Sequence, residues 1–294
     1  MVFSVFKRKT TELEWWSTPS HTLHSFILFT FLQILVFLFR PQLYSDAAPD
    51  MDVAPTFAAF RLIGIQECGL VLVYCAIAYT NDHTLMKMTV LGRLTVIPFS
   101  CMCVFYLGAP WTMLFGIIQD VSFGLWTYWS LNKVDSRNDN TTQRTTVSAS
   151  GTLNTLTRLT IAAAGLLCAY GGYLGLSGQL DQQPLFYFMH SSTSTALGLR
   201  SVALIYFLVG CYHIGIGTMN AHPYVFLSCG LYHGSVIVVF TLMQAWRNDL
   251  RAAYHIPSLH FICAPVLLLL SVCTCLVAGP HDATGTATNI KKSK

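Results

Sequence analysis

RLIGIQECGLVLVYCAIAYTNDHTLMKMTVLGRLTVIPFSCMCVFYLGAPWTMLFGIIQDVSFGLWTYWSL, residues 61–131, holds three apolar runs of membrane-spanning length, with Glu67, Arg93 and Asp120 set inside them. Charges at that depth are costly, so each needs a partner or a task. If the runs cross at 57–79, 85–107 and 111–131 in alternating directions, a rise of about 1.5 Å per residue puts Arg93 roughly 10 Å, Asp120 roughly 16 Å and Glu67 roughly 20 Å from one membrane face. On that ladder the long Arg93 side chain reaches Asp120. Glu67 lies deeper and shares a helix face with Leu70, Val71 and Tyr74. Two readings stay open. The charges form a structural ion pair that locks three helices together, or the second acid, left without a base, keeps its proton and acts as a general acid.

The 294 residues are 53% hydrophobic and only 10% charged, too apolar for an ordinary soluble domain. The runs are continuously apolar and lack the period-two alternation of a membrane β-barrel. The expected class is therefore all-α: a polytopic integral membrane protein of about eight helices. A net charge of +4, dispersed along the chain, does not suggest a nucleic-acid partner. Most of the ten cysteines lie inside apolar runs, where free Cys behaves as a small hydrophobe, so no disulfide framework is expected.

Residues 1–22 combine Lys7, Arg8 and Lys9 with Trp15 and Trp16 and read as a cytosolic interfacial segment. The run at 26–39 is a first retained span rather than a signal peptide, because Arg40-Pro41 follows it without a small-residue cleavage site. Pro41, Pro49 and Pro55 with Asp46, Asp50 and Asp52 make the next stretch a loop, and these acids lack the helical DDxxD spacing of a diphosphate-binding cation site. Residues 132–155, polar and free of aromatics, read as a cytosolic linker. Four more spans follow at 156–176, 196–218, 223–246 and 256–278, with a cytosolic tail at 279–294. The two halves, 23–131 and 156–278, share a rhythm that sets Arg200 against Arg61 and His233 against Arg93, with His260 or Leu267 opposite Asp120.

His213 and His233 are the histidines well inside spans, and the same rise puts them roughly 9 Å and 16 Å from one face, too uneven for two ligands of one iron. They read as polar groups bonded between helices. No metal and no cofactor is assigned, to these or to His21 and His24. Lys and Arg concentrate in the N-terminal segment, the linker and the tail, which puts both termini in the cytosol. Lys291-Lys292-Ser293-Lys294 resembles the dilysine signal that retains membrane proteins in the endoplasmic reticulum.

Arg61, Gly64 and Gly69 in one span, Gly92-Arg93 in the next and Asp120 in the last resemble the four-helix units of DoxX-like membrane proteins. Two such units fused, with an acidic membrane core and many aromatics, are similar in layout to the fungal membrane-bound terpene cyclases of the ascofuranone type. That resemblance implies an isomerase of secondary-metabolite biosynthesis, in which a buried acid protonates a lipophilic prenylated substrate drawn from the lipid bilayer. Asp120 and Glu67 are then the candidate proton donors, while Tyr74, Arg93 and Trp126 contact the substrate or face its cations. The competing expectation is a non-enzymatic protein, a proton-coupled transporter or an assembly factor.

Overall fold

The computed structural model describes residues 18–45, 53–107, 114–138, 151–177, 196–219, 221–248 and 255–283. The acidic loop with Asp46, Asp50 and Asp52, the N-terminal basic segment and the dilysine tail lie outside these residues. Every regular element among the described residues is helical: α1 (Pro19–Phe39), the single turn α2 (Gln42–Ser45), α3 (Val53–Thr80), α4 (His83–Leu94), α5 (Val96–Leu107), α6 (Leu114–Asn138), α7 (Thr152–Leu176), α8 (Ala196–Thr218), α9 (Pro223–Trp246) and α10 (Ser258–Ala283).

Six stretches are long and apolar enough to cross a membrane: Pro19–Phe39, Phe57–Thr80, His83–Met102, Thr152–Leu176, Pro223–Trp246 and Ser258–Ala278. This is the make-up of a multi-pass membrane protein. Their outward faces agree, since Leu28, Phe31, Leu32, Leu269, Leu276 and Val277 are exposed, a surface that water would penalise and lipid would not.

Local sequence explains where helices start and stop. Asn81 takes a left-handed φ of 50°, which Asn tolerates, and reverses the chain after α3. Asp82 then caps α4, its Oδ1 accepting from the backbone N–H groups of Thr84 and Leu85 at 3.0 and 3.1 Å. The span expected to run unbroken over 85–107 is interrupted between Leu94 and Val96. Pro98 is the cause: it has no N–H to offer the Leu94 carbonyl, and its ring crowds that oxygen. The Thr95 hydroxyl turns back to the Gly92 carbonyl at 2.6 Å and closes the interrupted end. At the other boundary, helix continues to Asn138, into the stretch expected to be linker.

Helix α1 packs on α3, and α6 on α1, α4 and α5; α7 packs on α8 and α10, and α9 on α10. Helix α3 also packs against α8 and α9. The α7–α8 seam is tight because small residues face each other along it: a Cβ on Gly172 would meet the Phe207 N–H and the Ala203 carbonyl, and one on Gly210 would meet the Ala169 backbone. Arg158 closes one end of this antiparallel pair, donating to the Gly217 and Thr218 carbonyls at 3.1 and 2.8 Å.

Candidate functional site

Arg93, near the end of α4, is 1% exposed and does not pair with Asp120. Its Nη1 donates to the Thr127 hydroxyl and its Nη2 to the Thr89 hydroxyl, both at 3.2 Å. The guanidinium lies 4.1 Å from the centroid of the Phe26 ring. Among the described residues no ion pair joins Arg93 to either acid. The expected contact fails for a geometric reason. Arg93 stands beside Gly124 of α6, its Cβ 3.8 Å from where a Cβ on that glycine would sit. Helical side chains lean toward their own N-terminus, and α4 runs antiparallel to α6, so Arg93 leans toward Thr127 and away from Asp120.

Thr127 is thereby a junction of three helices. It donates to the Phe123 carbonyl at 2.8 Å, accepts from Arg93, and has the Thr22 hydroxyl of α1 3.0 Å away.

Of the two acids, Glu67 carries a buried Oε2 with no hydrogen-bond partner among the described residues. Asp120 lies on α6, which packs against α4, the helix that carries Arg93. Tyr74, also from α3, is buried; its hydroxyl lies 2.9 Å from that of Tyr212 on α8, and its ring packs against Phe26. Trp126 sits farther out, 5.9 Å from Phe123, whose ring abuts Phe26 in turn. Trp129 is exposed and has Lys133 Nζ 4.9 Å over its ring, as an interfacial anchor does.

The second half holds a cluster that depth arithmetic kept apart. The rings of His213 and His233 stack at 5.4 Å with 12° between their planes. The same lean that turns Arg93 away from Asp120 brings these two rings together. These two side chains on antiparallel α8 and α9 each lean toward their helix N-terminus and therefore toward each other, which closes a level difference of about five residues, roughly 7.5 Å. The Nδ1 atoms of His233 and His260 stand 3.0 Å apart, and His260 Nε2 lies 2.5 Å from the Tyr206 hydroxyl. Tyr232 packs on all three histidine rings and donates to Gln66 Oε1 at 2.6 Å, which ties the cluster to α3 next to Glu67.

Cys168 of α7 completes this cluster: it, His213 and His233 offer ligand atoms within 4.8 Å of one another, and all three residues are buried. His233 Nε2 has no hydrogen-bond partner among the described residues, and the His213 ring nitrogens make no close one, with the Val209 and Cys229 carbonyls beside them. In the sequence Cys168 looked like one more small hydrophobe. The available signal was its place one turn from the glycine seam that brings α7 against α8.

No family model, characterised protein or solved structure matches this chain.

Proposed function

We propose that this chain is a membrane-embedded enzyme of the isomerase type, in which a buried carboxylic acid protonates a lipophilic, prenylated substrate and starts its cyclisation. One observation carries the reading: Glu67 is half-buried, its Oε2 is enclosed without a hydrogen-bond partner among the described residues, and Arg93 is bound to hydroxyls and an aromatic ring. An uncompensated carboxylate in an apolar interior costs several kcal/mol or more, so a proton on Glu67 is the cheaper state and is available to donate. Asp120, on α6, is the partner through which that proton is replaced. Tyr74, Phe26 and Trp126 supply ring faces for a developing carbocation. In this proposal the chain crosses the endoplasmic reticulum membrane about eight times in two four-helix halves, with both termini in the cytosol.

Membranes holding the full chain, incubated with prenylated phenols and their epoxides, should yield cyclised isomers of unchanged mass. Glu67→Gln keeps shape and removes the transferable proton; turnover should fall by about 10²-fold or more, the usual weight of a positioned acid. Parental turnover in both Glu67→Gln and Asp120→Asn would end the proposal. A second reading, proton-coupled transport through the same acids, draws on the helix break at Thr95 beside Arg93, since broken helices line transporter sites. Proton flux in sealed vesicles without product formation would select it.

A further inference from the structure

We infer that Cys168, His213 and His233 form a binding site for a soft transition-metal ion, monovalent copper, inside the second half of the membrane bundle. The inference uses none of the acid-site residues and stands whether or not the chain is a cyclase. Three observations carry it. The potential ligand atoms lie within 4.8 Å of one another. The three residues are at most 1% exposed. Three imidazole nitrogens there make no close hydrogen bond among the described residues, and buried polar atoms in native proteins are almost always satisfied, so unfilled ones mark a missing ion or water.

The hydrogen bonds around the cluster prepare it for a metal. The chain His233–His260–Tyr206 runs in one of two directions. If His233 Nδ1–H donates to His260 Nδ1, then His260 Nε2–H donates to the Tyr206 oxygen, and His233 keeps a bare lone pair on Nε2. The opposite direction leaves His233 Nε2–H as a buried donor with nothing to receive it, which is costly. The favoured direction makes His233 a ligand through Nε2 with His260 as the outer partner that fixes its tautomer, the usual arrangement around a metal-bound imidazole. His213, whose ring nitrogens have only the Val209 and Cys229 carbonyls beside them and no close hydrogen bond, supplies the second nitrogen.

The choice of ion follows from charge and softness. A thiolate and two neutral imidazoles carry one negative charge, which a monovalent ion cancels, whereas a divalent ion would leave a net positive charge among apolar helices. Thiolate with imidazole suits copper, and soft thiolate selects its monovalent form. Ligands roughly 2.0–2.3 Å from one ion stand about 3.5–3.8 Å apart. Binding therefore draws the widest pair together by about 1 Å, within reach of side-chain rotation.

The test uses the full-length protein in detergent, reduced and free of oxygen, with monovalent copper supplied from a bathocuproine disulfonate complex. The unmutated protein should take one copper per chain from the competitor, and X-ray absorption at the copper edge should show one sulfur and two nitrogen neighbours; this readout needs no variant. Cys168→Ser and His213→Asn should each lose that copper, while Cys263→Ser, which removes a thiol near Cys168 outside the ligand set, should retain it. His260→Asn should weaken copper binding 10- to 100-fold, as loss of an outer partner does. Failure of the unmutated protein to take copper, an all-sulfur shell, or retention of zinc with refusal of copper would each overturn the assignment.

Discussion

At the scale of single residues, the direction in which a helical side chain leans decides both polar centres. Arg93 leans to Thr127 and Thr89; His213 and His233 lean to each other. Thr127 is then worth more than an ordinary buried threonine, because its oxygen receives the guanidinium while its proton goes to the Phe123 carbonyl. Thr127→Val should lower stability by about 1–3 kcal/mol, the cost of leaving a buried donor unpaired. Thr160→Val, at an exposed hydroxyl on α7, should change the detergent melting temperature little. Equal melting temperatures for the two variants would mean that Thr127 does not hold Arg93. That Arg93 is enclosed and needs partners was legible, because a charge in an apolar run stands out. The partners of Arg93 and the His213–His233 contact were not, because depth counted from backbone rise ignores a side chain's lean of several ångströms.

At the scale of elements, the helices themselves were legible from length and apolarity, while their interruptions depended on single residues. Pro98 splits one expected span into α4 and α5, and the break falls two residues after Arg93. The α7–α8 seam depends on glycines whose neighbours are backbone atoms, which cannot move aside as flexible side-chain ends do. Gly172→Ala should therefore push the helices apart, cost about 1–3 kcal/mol by overpacking, and sharply reduce accumulation in membranes. Gly124→Ala meets only Arg93 Cβ at 3.8 Å, an ordinary contact, and should accumulate at the parental level. The reverse order would show that this seam is not where the second half is held together. The glycines were visible in the sequence, but their partners across the seam were not, since nothing in one helix states the register of the next.

At the scale of the whole molecule, α3 is the element on which the account turns. It packs against α1, α8 and α9, and it carries Glu67 beside Gln66, which receives the Tyr232 hydroxyl. Glu67 is half-buried, and its Oε2 is enclosed by protein without a hydrogen-bond partner among the described residues. Under the proposed function this carboxyl keeps a proton inside the bundle. Infrared spectra of the full chain in bilayers at neutral pH, unmutated against Glu67→Gln, read that proton most directly. The account predicts that the unmutated protein shows the carbonyl stretch of a protonated carboxylic acid and that the variant lacks it; loss of an ionised-carboxylate band instead would contradict it.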